Sequence, residues 1–409
     1  MKLFRTLALV FFCLLLAALP GLVGCAGGGE SDVKEIKYGW LWDFTGRAAS
    51  AVIQTYDGFK DYLRMVSEEE PIEGIKITLV TYDTKSDASR VPVGYQSMKD
   101  KGVDIMSAAP QDTEVLRSTF EADQMPFYAL SNIISMIDSQ WLTSLYGPPE
   151  LQITRLLKWI NENWEDYPTK PKVGFIGLAG VPFYESQRET VQDWISARPD
   201  QYEWLGAEMA PSTTSVWVSE INKMRSADFI FASMSGPPLV SLTAEARSRG
   251  YEGTFMGPSE TYFSFYMLLR AGVDPEDLDN SIAGTYTPWW GEDNAFMNEV
   301  EEYAQKYNSQ AEMVAIRQGT GQFNGWAAGM IFIDAVKRAI DKVGVDNLDG
   351  IAIHQALQET DMTQPGWGNP WKLQEGMNYF AQTVRLVEYK SDIDNWVAIT
   401  DFEYPPSLN

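Results

Sequence analysis

Along most of the chain, short apolar runs alternate with longer segments whose apolar residues recur every third or fourth position. These are the signatures of buried strands and amphipathic helices. The first set predicts a strand at Ile36 to Leu41, a helix at Ala51 to Val66, a strand at Ile75 to Thr81 and a helix at Val91 to Lys101. A strand at Val103 to Ser107, a helix from Asp112 to Ala122 and a strand at Pro126 to Ala129 follow. The order then restarts with helix Leu151 to Trp164, strand Lys172 to Ile176, helices Glu185 to Ala197 and Ser215 to Met224, and strand Asp228 to Ala232. Helix Leu239 to Arg249 is closed by Gly250, and strand Gly253 to Met256 ends at Gly257-Pro258. Such alternation predicts parallel sheets covered on both faces, and its repetition predicts an α/β chain of two doubly wound lobes.

The amino-terminal pattern is of another kind. Lys2 and Arg5 precede an apolar run from Leu7 to Leu19, and small residues lead up to Cys25, which is the anatomy of an export signal. Leu22-Val23-Gly24-Cys25 resembles the lipobox of bacterial lipoproteins, which implies a signal peptide over residues 1–24 and a lipid on Cys25. The alternative is an uncleaved anchor, but Pro20 and Gly21 interrupt the run from Phe4 to Val23, which is marginal for a span of about 20 residues. Ala26 to Asp32 reads Ala-Gly-Gly-Gly-Glu-Ser-Asp, so residues 25–33 are expected to form a flexible tether.

Removing the signal sharpens the charge balance. The mature chain keeps 32 − 2 = 30 basic residues against 56 acidic ones, a formal charge of −26. That balance disfavours nucleic acid and anionic membrane surfaces as partners. Cys13 leaves with the signal, so no disulfide forms within the mature chain. Hydrophobic residues at 45% of the chain provide for large cores, and the length suits about two domains.

Catalytic material is scarce. The lone histidine, His354, falls in Ile351 to Gln358, where it reads as helix surface with no partner for a triad or a metal site. Gly-x-Ser-x-Gly, the phosphate-binding Gly-x-x-x-x-Gly-Lys-Ser/Thr and Cys-x-x-Cys are all absent. Gly319-Thr320-Gly321-Gln322-Phe323-Asn324-Gly325 is a near miss for a dinucleotide loop and reads instead as the approach to a helix from Trp326 to Lys342. No cofactor or metal is expected.

Several landmarks in order carry a resemblance. They are Tyr38-Gly39-Trp40-Leu41-Trp42-Asp43-Phe44-Thr45-Gly46-Arg47-Ala48-Ala49, then Thr81-Tyr82-Asp83-Thr84, then Met125 to Ala129 leading into Leu130-Ser131-Asn132. Phe255-Met256-Gly257-Pro258 and the late helix from Asn324 to Ala339 complete the set. Over nearly all of residues 34 to 404 the chain resembles the leucine/isoleucine/valine-binding proteins of branched-chain amino acid ABC transporters, periplasmic binding protein type I. The resemblance implies two lobes joined by a three-strand hinge, with one small solute in the cleft between them. It places lobe one at 34–151 and 285–360, and lobe two at 152–284 and 361–409.

Carried over by position, the resemblance assigns ligand contacts with informative departures. The first-lobe loop that meets an amino acid's carboxylate falls at Ala109-Pro110-Gln111-Asp112, where Pro110 has no N–H to donate. The next contact loop is Ser131-Asn132-Ile133, with Ile133 where a threonine is usual. In lobe two, Phe183-Tyr184 matches an aromatic loop, and Ser233 to Ser235 a loop that often carries a tyrosine. Ser259 stands where a glutamate pairs with the ligand's ammonium, and Glu260 is one position later, so a ligand other than an ordinary α-amino acid is expected. Trp42, Arg47 and Trp289 of Tyr286-Thr287-Pro288-Trp289-Trp290 add aromatic walls and a cation suited to an amide or an aromatic or carboxylated solute.

The expected protein is a monomeric, non-enzymatic solute-binding lipoprotein on the outer face of a cell membrane or in the periplasm, serving an ABC permease and its ATPase. Two other readings stand beside it. A sensory receptor component would normally carry a spanning helix after the binding body, and the chain ends at Tyr404-Pro405-Pro406-Ser407-Leu408-Asn409 without one. A carboxylate-dependent hydrolase would use Asp43, Asp112 or Glu260.

Overall fold

Ile36, Tyr38, Trp40 and Leu41 bury their side chains along the first strand, while the edge strand beside it stays half-exposed through most of its length. The computed structural model describes residues 33–368 and 370–407. Its first run is β1 (Lys34–Trp42), α1 (Ala49–Glu69), β2 (Ile75–Asp83), α2 (Arg90–Asp100), β3 (Ile105–Ala108), α3 (Pro110–Asp123), β4 (Phe127–Ala129) and β5 (Leu142–Tyr146). The second is α4 (Pro149–Asn163), β6 (Lys172–Leu178), α5 (Pro182–Ser196), β7 (Glu203–Ala210), α6 (Val218–Lys223), β8 (Phe229–Ser233), α7 (Pro237–Ser248) and β9 (Thr254–Pro258). Three short helices, α8 (Ser259–Tyr262), α9 (Tyr266–Gly272) and α10 (Pro275–Leu278), lead to β10 (Ser281–Thr285). The remainder is α11 (Ala295–Tyr307), α12 (Gln310–Ile316), α13 (Gly321–Val343), α14 (Gly350–Gln358), β11 (Asp361–Thr363), β12 (Pro370–Lys372), β13 (Tyr379–Ala381), β14 (Arg385–Lys390) and β15 (Asn395–Ala398).

Two sheets carry the lobes. The first has the order β13-β5-β4-β3-β1-β2, all parallel. The second has the order β15-β14-β10-β9-β8-β6-β7, parallel apart from the antiparallel β10–β14 and β14–β15 pairs. The chain passes between sheets after β5, after β10 and between β13 and β14. These passages lie side by side: Gly147 N–H donates to the Ala381 carbonyl at 3.2 Å, and the Tyr286 hydroxyl to the Pro148 carbonyl at 2.8 Å. The expected assignment of all of 361–409 to lobe two is corrected in part, because Tyr379–Ala381 pairs with β5 in the first sheet.

In the first lobe, α13 lies directly on α1. The crossing depends on Gly325, where a Cβ would overlap the Thr55 carbonyl, and on Gly58, where one would overlap that of Gln322. This is the use of the late Gly-rich segment: close helix packing.

Besides the short strands β11 to β15, which were not predicted, β5 and β7 escaped the hydrophobic pattern for opposite reasons. β7 lies at the edge of the second sheet, and its side chains are mostly half-buried, so neither alternation nor a solid apolar run marks it. β5 is wholly buried but has Thr143 and Ser144 at its centre, polar residues enclosed once β13 pairs alongside. His354 is also corrected: it is 3% exposed, stacked on Trp141 with ring centroids 5.6 Å apart, and its Nε2 lies 2.7 Å from the Gln140 carbonyl. Burial pushes its pKa below the ordinary imidazole value. The export segment, Cys25 and the tether as far as residue 32 lie outside the described residues. Among the described residues no helix is long and apolar enough to cross a membrane.

Candidate ligand-binding cleft

In an open parallel sheet the loops at the carboxyl ends of strands gather where helix N-termini point. Here such loops from both sheets face one gap, which holds a cavity of about 450 Å³.

The first-lobe wall is built by aspartates that organise backbone. After β1, Asp43 accepts from the amides of Gly46 and Ala48 and from the Ser86 hydroxyl, with the Ala48 bond at 2.9 Å. Asp83 accepts from the Phe44 amide at 2.9 Å and the Thr45 hydroxyl at 2.6 Å. The loop so fixed opens α1 and presents Arg47 to the cavity. Among the described residues lining the cavity Arg47 is the sole cation, and its guanidinium has no hydrogen bond or ion pair from the protein. Next along the wall, Ala109 and Pro110 start α3, followed by Gln111 and Asp112. Asp112 is 8% exposed and makes no side-chain hydrogen bond. Burial, then repulsion from Asp43, pushes its pKa up to about 7. Trp42 lies on the same wall, its indole N–H donating to Ser107 Oγ at 3.0 Å.

The second-lobe wall is more fully bonded. Tyr184, in the first turn of α5, donates to Ser235 Oγ at 2.6 Å; burial raises its pKa, while Ser235 and the nearby Arg47 charge pull it down. Glu260, half-buried in the first turn of α8 just after β9, accepts from Gln152 Nε2 at 2.8 Å, Ser131 Oγ at 3.1 Å and Ser259 Oγ at 3.3 Å. Ser131 comes from the first lobe, so this carboxylate bridges the cleft. Burial raises its pKa, and these hydrogen bonds oppose the rise. Beside the hinge, Glu150 is fully buried, accepts from Ser186, and is pushed up to about 8 by burial.

Of the residues assigned from sequence, Trp42, Arg47, Pro110, Gln111, Ser131, Tyr184, Ser235, Ser259 and Glu260 line the cavity. Four do not: three are held elsewhere by a distant partner, and the fourth, Ile133, is buried. Asn132 is turned inward, its amide donating to Asn378 Oδ1 at 2.7 Å, and Ile133 packs in the core. Ser233 donates to Gln187 Oε1 at 2.6 Å. Trp289 is 2% exposed, packed on Phe263 at 4.3 Å between centroids, with its indole N–H on Asn395 Oδ1. The serine at 259 does not empty the second-lobe acidic position, because Glu260 reaches the cavity one residue on.

Sequence reasoning missed Tyr146, Phe265 and Asn324 as wall residues. Tyr146 stacks on Tyr286 at 5.9 Å and 3° and donates to Asn324 Oδ1, joining β5 to α13 at the hinge. The signal for Asp112 was present: a carboxylate in a helix first turn immediately after a strand, next to a proline that removes one N–H.

A model of the periplasmic binding protein family matches residues 35–394. Among solved structures, the chain is similar to a branched-chain amino acid ABC transporter protein from Thermus thermophilus with bound valine, at 15% identity and a TM-score of 0.78 over 92% of this chain and 97% of that one. It is also similar to a solute-binding protein from Rhodopseudomonas palustris in complex with benzoate, at 16% identity and 0.73 over 91% and 97%. A fatty acid ABC transporter substrate-binding protein from Thermomonospora curvata gives 17% and 0.75 over 92% and 93%. No curated protein sequence matches. With most of its length matched by the family model and both lobes in place, the chain belongs to the periplasmic binding protein family.

Proposed function

We propose that this protein is the extracytoplasmic solute-binding component of an ABC importer. It captures one small organic solute in the interlobe cleft and passes it, chemically unchanged, to a membrane permease. The observation that carries the reading is the cavity between the lobes, lined from both sides by polar and aromatic groups, with the Arg47 guanidinium unpartnered among them. Such a group suits a solute carboxylate, with Trp42, Phe183 and Phe265 against its body. Glu260 suits a nitrogen donor, so amino acids and amides stand beside aromatic and carboxylated compounds as candidates. Valine and benzoate, held by two of the similar structures, fall within that range.

Bending at the three hinge passages closes the lobes over the solute and presents a joined rim to the permease. Cys25 carries the lipid that keeps the loaded protein at the membrane. Replacing it with serine is expected to release the protein from the membrane fraction and leave solute affinity unchanged.

A thermal-shift screen over branched-chain and aromatic amino acids, amides, aromatic acids and short dicarboxylates tests the reading. A solute that binds the folded state alone raises the melting temperature, by about 2.7 kcal/mol of stabilisation at a hundredfold excess over Kd. Stabilisation by one class is the expected result. Recovery of chemically altered solute overturns the binding-only reading, and a screen in which no small solute stabilises the chain overturns solute capture.

A further inference from the structure

Asp112 is the one cleft carboxylate described above to which the fold gives no donor. It is 8% exposed, faces the cavity, and has neither a hydrogen bond nor an ion pair from the protein. Its position at the start of α3 does not compensate. Pro110 has no N–H, the amides of Asp112 and Thr113 are both spent on the Ala109 carbonyl at 2.9 Å, and the one first-turn amide left without an acceptor, that of Gln111, makes no hydrogen bond to the Asp112 carboxylate. Asp43 adds negative charge nearby, while its own donors, Gly46, Ala48 and Ser86, are spent on it. Arg47, on the same wall, makes no ion pair with it. An unpaired, desolvated carboxylate is costly, and the cost is relieved by a proton or by a cation brought in from outside.

We propose that Asp112 anchors a second polar subsite of the cleft, which takes a protonated nitrogen of the solute. The captured compound is then an amino compound with a basic group in addition to whatever Arg47 and Glu260 hold. The alternative of a solute carboxylate at this place would set a third anion beside Asp43 and Asp112, with the Gln111 amide as the single unspent N–H of the α3 first turn to offset two negative charges. A protonated nitrogen supplies both the missing charge and the missing donors. The rise of the Asp112 pKa to about 7 agrees with a site that lacks its counter-charge while empty.

The inference rests on the proposal that the cleft captures a small solute. The test is isothermal titration calorimetry of the full chain near neutral pH with two matched pairs, lysine against norleucine and arginine against citrulline. Each pair differs mainly in the distal charge. At least one basic member is expected to bind about tenfold or more tightly than its neutral partner, and Asp112→Asn is expected to bring that ratio to about one. Neutral members binding as tightly as basic ones, or a preference that survives Asp112→Asn, overturns the subsite. So does binding confined to acidic or uncharged solutes of the thermal-shift screen, an outcome that leaves solute capture itself intact; if nothing binds in either experiment, solute capture falls and the subsite with it. The ligand-free variant supplies a further readout. Asp112→Asn is expected to melt higher than the parent at mildly alkaline pH, and a lower melting temperature would show that the fold, not a ligand, uses the carboxylate.

Discussion

Asp112 and Glu260 are both carboxylates at the carboxyl ends of strands, one on each wall of the same cavity, and the fold treats them oppositely. Glu260 receives three side-chain donors, one of them from the opposite lobe, whereas Asp112 receives none. Burial raises the pKa of both, but only Glu260 has hydrogen bonds that pull it back. The difference separates two jobs for buried charge in one cleft. Glu260 helps hold the lobes in register with Ser131, and Asp112 is kept free at the expense of the empty protein's stability.

The largest effect that would break this comparison lies in the pH dependence of Asp112. Its folded pKa, about 7, stands above the unfolded value near 3.8, so the folded state holds the proton more tightly. The destabilising contribution is absent below the unfolded pKa, grows as pH rises between the two, and is complete above about pH 7. Asp112→Asn is therefore expected to stabilise the ligand-free protein by up to about 4 kcal/mol near pH 8 and by little near pH 4, read by denaturant unfolding. Glu150 and Glu260 titrate alongside, so the quantity to follow is the difference between variant and parent at each pH. A gain that does not depend on pH would place the cause elsewhere.

Glu260→Ala is expected to act in the other direction, costing about 1–3 kcal/mol by leaving Gln152 and Ser131 without their acceptor. A variant as stable as the parent would remove Glu260 from the structural role and leave both carboxylates as ligand groups. Arg47→Ala tests the counterpart of Asp112, an unpartnered cation on the same wall. Its loss should weaken a carboxylated solute about tenfold by calorimetry and leave the ligand-free melting temperature nearly unchanged, since no hydrogen bond or ion pair within the protein is lost. Ser131→Ala gives the smallest change, about 1 kcal/mol or less, because the 3.1 Å bond to Glu260 is one of several. Combined with Glu260→Ala it should add nothing further, which is the sharpest check that the two lobes meet through this pair.

Much of the frame was legible in the sequence. Buried strands and amphipathic helices declare themselves through local periodicity, so β1 to β4, β6, β8 and the helices between them emerged with small errors at their ends. β7 was hidden by its edge position and β5 by a polar centre, cases where burial is set by neighbours that periodicity does not see. The cleft was legible at the level of loops. Position along the chain located Ser131 and Asn132 equally well, yet one faces the cavity and the other is buried against Asn378.

The local pattern of apolar and polar residues by itself predicted that this chain forms two α/β lobes, and the order of its landmark segments carried the likeness to solute-binding proteins. Tertiary structure alone decided which side chains face the cleft. Ser233, Trp289 and Asn132 are drawn away by Gln187, Asn395 and Asn378, residues 46, 106 and 246 positions distant along the chain. Asp112 is left in the cleft because no such partner reaches it. Periodicity is a property of adjacent residues, whereas the direction a loop side chain takes is settled by whichever donors and acceptors folding brings beside it.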